Sequence, residues 1–170
     1  PFNALFFHRA MMNITMAERD AVYMPLFLSW RDEQSPISFL LGWIDRVDDG
    51  KSAVADEHIY LCAIVLSWML CVTDIHYRDQ VSAALCRLLR GHGDVLMRVL
   101  KQFEQVDDVY IQERIYAVAL GVVTFECNQE VLNSLAYYVY ETIFDQATVV
   151  TDILIRDSAR EIILYVNHIQ

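Results

Sequence analysis

A chain of 170 residues is long enough to bury a core without disulfides or metals to staple it. Thirteen Lys and Arg against 23 Asp and Glu leave a net charge of −10, a poor counter-surface for phosphate backbones, which are held by cation pairing. Hydrophobic residues reach 55% while charged residues stop at 21%, an apolar excess that implies contact with another domain or subunit.

Both ends, Pro1 and Gln170, read as cuts through a longer protein, and no signal peptide is visible. The segment from Asn3 to Met12 is short and reads as a helix separated from an upstream partner. Thr15 and Glu18 form a capping-box pattern, so a helix should start near Met16 and run to about Trp30, with Val22, Leu26 and Trp30 on one face. Pro25 lies inside that pattern and should kink or interrupt it, because it lacks a donor and crowds the preceding turn. Ser35 followed by Pro36 is a cap with proline at the first helical position. The helix it opens carries Ile37, Leu40, Leu41, Ile44 and Val47 on one stripe and ends at Asp48, Asp49 and Gly50. The connector from Asp49 to Ala55 is polar and is the expected proteolytic site.

The run from Ile59 to Val72 is apolar on every side, with one serine. A helix of that kind is buried all round or lies in a membrane, and this one falls short of the about 20 residues a span needs. Its N-terminal Asp56 and Glu57 suit the positive end of the helix dipole.

Beyond it a stripe recurs three times. Tyr77, Val81, Ala84, Leu85 and Leu88 form the first copy, and Ile111, Ile115, Val118, Ala119 and Val122 the second. Ile155, Ala159, Ile162, Ile163 and Val166 form the third. Each copy follows an aspartate (Asp74, Asp108, Asp152) and carries an acid two residues in (Asp79, Glu113, Asp157). Copies one and three also share Arg78 and Arg156. The spacings of about 34 and about 44 residues match two-helix repeats. Partner helices lie between the copies, with Leu96, Val99, Leu100 and Phe103 in one and Leu132, Leu135, Val139 and Ile143 in the other. Gly91-His92-Gly93-Asp94 marks one junction and Cys127-Asn128 the next. The segment from Val118 to Phe125 is rich in β-branched residues, but its helical stripe continues from Ile111, and the whole chain is read as helical. The expected architecture is all-α: one domain over 1–170, a right-handed α-solenoid of antiparallel helix pairs, HEAT/armadillo-like. The pairs fall at roughly 16–48, 56–90, 94–124 and 129–168, and stacking of neighbours buries what each pair alone leaves open.

The sequence contains no P-loop, nucleophile elbow or zincin motif. His58 and Cys62 are spaced i, i+4, but two ligands do not make a tetrahedral site, and both are read as core residues. Cys62, Cys71, Cys86 and Cys127 lack C-x-x-C spacing and read as free thiols in a reducing, cytoplasmic setting. Cys127 sits beside Glu126 and Glu130, which disfavour a thiolate. Asp45, Asp48 and Asp49, and the pair Asp107 and Asp108, could serve as acid and base but are read as caps and turn residues. No catalytic, cofactor or metal residue is assigned.

Two groups are candidates for an interaction surface. Tyr137, Tyr138 and Tyr140 cannot all face the core from one helix, and exposed tyrosines make good interface anchors. Arg87, Arg90, Arg98 and Lys101 form a local basic patch, whose ordinary reading is a solvated helix face.

The stretch from Asp107 to Gly121 resembles segments of very large bacterial ATP-binding proteins of the STAND/NACHT kind, implicated in antiphage defence. Leu66–Leu70 with Tyr77-Arg78-Asp79, Leu135-Ala136 with Val139-Tyr140 and Ile143-Phe144, Ile153–Asp157 with Ala159-Arg160, and Glu18-Arg19-Asp20 are similar too. The resemblance implies a helical-repeat segment following an NTPase module and acting as a ligand sensor or autoinhibitory scaffold. It brings no functional residue with it, and the nucleotide-binding signature is absent from this sequence. The leading expectation is a protein-interaction module whose partner is a protein, a phage protein among them, or neighbouring domains of the same chain. No cofactor and no membrane are expected. A freestanding helical enzyme, or a nucleic-acid-binding module using the patch between residues 78 and 101, is the alternative.

Overall fold

The structure is a computed structural model that describes residues 3–32, 34–47 and 54–169. Asp48, Asp49, Gly50 and most of the polar connector after them lie outside the described residues, as does the side chain of Val47. Among the described residues nine α-helices follow in order: α1 (Ala4–Met12), α2 (Met16–Ser29), α3 (Pro36–Val47), α4 (Asp56–Trp68), α5 (Ile75–Leu89), α6 (Gly93–Phe103), α7 (Val109–Val123), α8 (Gln129–Ile143) and α9 (Ile153–His168). A 3₁₀ turn, Met69–Cys71, tightens the end of α4. No strand occurs among the described residues, and the segment from Val118 into Val123 is helical. No helix among the described residues is long and apolar enough to cross a membrane.

The helices touch in two series. One runs α1, α4, α6, α8 and the other α3, α5, α7, α9, each helix lying against the next in its own series. Cross-contacts join α4 to α5, α6 to α7 and α8 to α9. The neighbours of the α4–α5 unit on the N-terminal side are therefore α1 and α3. The run from Ile59 to Val72 occupies the interior as its composition requires, with Ala63, Ile64, Leu66, Trp68, Met69, Leu70 and Val72 sealed from solvent. The three stripes line the core as well, and only Ile163 stays half-exposed.

The recurring aspartates have a local cause. Asp74, Asp108 and Asp152 are the N-caps of α5, α7 and α9, each accepting from a backbone N–H of the first turn. Four residues further on, a long side chain reaches back six positions to a valine carbonyl. Arg78 donates to Val72 (3.1 Å), Gln112 to Val106 (2.8 Å) and Arg156 to Val150 (3.2 Å). Cap and clasp together satisfy backbone groups at both ends of the corner that precedes each helix. The acid that follows each clasp can bridge copies, as Asp79 does to Arg114 at 2.8 Å.

The unequal spacing also has a local cause. The helices α5 and α7 have 15 residues each, so the longer second interval comes from elsewhere. Helix α8 has 15 residues where α6 has 11, and residues 144–152 form a longer connector than residues 104–108. Gly93 marks a close approach: a Cβ there would collide with the Val131 side chain and lie 2.8 Å from Glu126. Glu126 accepts from the Gly93 N–H (3.1 Å), replacing the side-chain cap that His92 does not provide.

Helix α2 departs from its expected face. Val22 and Leu26 are exposed, and the inward side carries Arg19, Tyr23 and Phe27. The capping box at Thr15 and Glu18 forms as expected. Pro25 does not interrupt the helix, because both it and Ala21, whose carbonyl it leaves free, are exposed to water. Arg19 is only 3% exposed. It donates to the carbonyls of Met11 (3.2 Å) and Ile14 (2.8 Å), pairs with Asp107, and stands 5.3 Å from the centre of the Trp68 ring. The Trp68 indole in turn donates to Nδ1 of buried His8 at 3.1 Å. The segment from Asn3 to Met12 thus has its partner within the chain.

Candidate functional site

The end of α6, the middle of α7, the last turn of α8 and the connector 144–152 enclose a cleft of about 250 Å³. Leu100, Phe103, Ile115, Ile143 and Val150 supply its apolar lining. Glu104, Gln105, Gln112, Tyr116, Thr142, Gln146 and Thr148 bring polar groups to it. The residues lengthening the second interval therefore build one wall of this cleft. Tyr116 is 7% exposed, and burial, then the nearby Glu104 carboxylate, push its phenol well above the ordinary tyrosine value. Tyr138 donates to Glu104 at 3.0 Å, and its phenol is raised by burial and by that bond. Lys101 stands 5.5 Å from the centre of the Tyr138 ring.

Of the three tyrosines, Tyr138 is half-buried against Glu104 at the cleft's edge while Tyr137 (63% exposed) and Tyr140 (48%) face out. These two border a second groove of about 250 Å³ between α8 and α9, with Ala136, Ile163 and Val166 at its base and Asn133 and Asn167 beside them. Glu141 raises the Tyr137 phenol by accepting its hydrogen bond.

The four cations do not form one patch. Arg87 pairs with Asp45 of α3 at 2.8 Å, whereas Arg98 pairs with Glu57 of α4 at 2.8 Å, in the other helix series. Arg98 also lies over the Tyr60 ring and Arg90 over Phe125, both at 3.9 Å. These cations are engaged with acids or rings that lie far away in sequence.

The remaining chemistry-bearing residues are dispersed. Among the described residues no group of three or more His, Cys, Asp and Glu is placed to hold a metal ion. His58 is exposed rather than in the core, because α4 begins at Asp56 and its first turn projects into solvent. Cys62, Cys71 and Cys86 are half-buried with thiols pushed up by burial, Cys71 to about 12, while Cys127 is exposed. Asp107 and Asp108 divide their roles. Asp107 is held below the usual carboxylate value by its bond from Arg19, whereas burial raises Asp108 at its cap.

Sequence reasoning assigned Tyr138 and Lys101 but missed the cleft beside them. The one signal pointing there was the jump in repeat spacing. Comparison with family models, curated proteins and solved structures returned no match.

Proposed function

We propose that the chain is a non-catalytic protein-interaction module, a HEAT/armadillo-like right-handed α-solenoid forming a ligand-sensing or scaffold segment of a larger bacterial defence NTPase. The observation carrying the interaction reading is the pair Tyr137 and Tyr140, which α8 holds out of the core along its side of the α8–α9 groove. Tyrosines in that setting offer large contact area at low entropy cost and dominate many interfaces. The two helix series support the solenoid reading, since each unit rests on the one before it. The defence NTPase as parent rests on the resemblance of Asp107–Gly121 and its companion segments.

A binding screen of the full-length parent against phage structural proteins tests this reading. The expected result is saturable binding to one of them, weakened about 30-fold when Tyr137→Ala and Tyr140→Ala are combined, as for truncated hot-spot aromatics. Unchanged affinity in that double variant would remove these tyrosines from the interface. Parent proteins without an NTPase domain would defeat the specific assignment.

A further inference from the structure

The cleft between α6, α7 and α8 is unbalanced in its hydrogen-bonding groups. Gln112 donates its amide nitrogen to the Val106 carbonyl and Gln146 to the Glu141 carbonyl, both at 2.8 Å. Gln105 donates to a Glu104 carboxylate oxygen at 3.4 Å. Carbonyls and carboxylates only accept, so each partner identifies the nitrogen end of its amide. The three amide oxygens are thereby left as acceptors with no hydrogen bond among the described residues. The Glu104 carboxylate, which already accepts from Tyr138 and Gln105, adds negative charge and spare lone pairs, and no Lys, Arg or His lines the cleft. The Tyr116 hydroxyl, on a side chain 7% exposed, likewise makes no hydrogen bond among the described residues. The lining's own side-chain donors, apart from amide nitrogens already in use, are the hydroxyls of Tyr116, Thr142 and Thr148, so an occupant with several N–H groups, a positive charge and an apolar stem complements it. A guanidinium meets all three demands with five N–H groups in a plane, where an ammonium offers three around a point. At about 250 Å³ the space falls below the range of pockets for drug-sized ligands and suits one side chain. The net charge of −10 favours approach of a basic segment.

We propose that this cleft receives the guanidinium of an arginine presented by a basic segment of a protein partner. The assignment rests on the interaction-module reading and names the chemistry that the module selects. Glu104 supplies the counter-charge, the freed amide oxygens accept at the rim, and Leu100, Phe103 and Ile143 hold the stem.

NMR titration of the labelled chain with blocked Gly-Arg-Gly, and with its citrulline and lysine counterparts, tests the assignment. The arginine peptide should give saturable shifts at the Gln112 and Gln146 side-chain amides and the Tyr116 ring, with a Kd in the millimolar range expected for one side chain. Citrulline, neutral but nearly isosteric, should bind about tenfold or more weakly, and lysine should fall between the two. Glu104→Gln, an exposed position whose exchange leaves the core untouched, should weaken the arginine peptide about tenfold. Equal binding of citrulline, equal binding of lysine, or no saturable shift at these three residues would each overturn the assignment. Failure here with a persisting Tyr137 and Tyr140 effect on partner binding sinks the cleft alone. The opposite pattern retains the cleft and sinks the tyrosine surface.

Discussion

The first three helices and the last five are held together by different means. From α5 onward the core is aliphatic and repetitive, with each odd-numbered helix using one stripe, one aspartate cap and one backward clasp. The N-terminal region relies on single, unrepeated contacts. Phe7, Tyr23, Phe27 and Trp30 pack edge to face or tilted, and Arg19 closes α1 and α2 onto Trp68 and Asp107. A repeated solution spreads its energy over many equivalent sites. A one-off solution concentrates it, so one substitution can release a whole segment.

Helix α4 belongs to both regions, and charging it should break both. Leu66→Glu, at a fully buried position, should abolish cooperative melting, as calorimetry would show. A soluble, cooperatively melting variant would mean that the central helix is wrongly placed. Within the repetitive region Leu85→Ala should cost about 2–4 kcal/mol by chemical denaturation, the range for large-to-small core changes. Arg19→Met should cost about 2–3 kcal/mol, mainly from the orphaned Met11 carbonyl. Hydrogen exchange should then quicken in α1 and α2 and leave α7 to α9 unchanged. Uniform acceleration would erase the contrast between the regions.

Acid should separate the regions as well. Burial pushes the His8 imidazole below its ordinary value of 6.5, so the unfolded chain takes up a proton more readily than the folded one. Stability contributed by neutral His8 is present above that value and is lost as pH falls below it. Protonation would also place a donor opposite the Trp68 N–H. Buried Asp108 works in the opposite sense, because its raised carboxyl favours the folded state as pH falls, but it titrates from a lower starting value of 3.8. Melting curves of His8→Gln, whose amide can still accept from Trp68, should show a flatter slope between pH 5 and 7. The smallest effects belong to the caps. Asp152→Ala should cost about 1 kcal/mol, while Asp108→Asn, which keeps the acceptor and removes a buried charge, should cost less.

The same contrast decides what could be read from the residues. Stripes at Tyr77–Leu88 and Ile111–Val122 were legible because aliphatic residues at helical spacing have few alternatives to burial. The face of α2 was not, since Arg19 reads as polar until Trp68 and Asp107 arrive from distant positions. The basic patch failed as one surface for a similar reason: Asp45 and Glu57 come from different helix series. Tyr137 and Tyr140 could be picked out because α8 has more aromatic residues than one buried face can hold. The cleft draws on three helices and a connector, and no local pattern encodes such a convergence.

Residues 145–149 are all exposed, yet they sit between two fixed points, the C-terminus of α8 and the Arg156 clasp on Val150. Changes in length there cost little, since doubling a flexible loop adds only about 0.6 kcal/mol. Selection can therefore lengthen, shorten or rewrite this stretch while the aliphatic stripes stay as they are. Related chains could in this way acquire different recognition preferences from one scaffold, with diversity confined to a few adjoining codons.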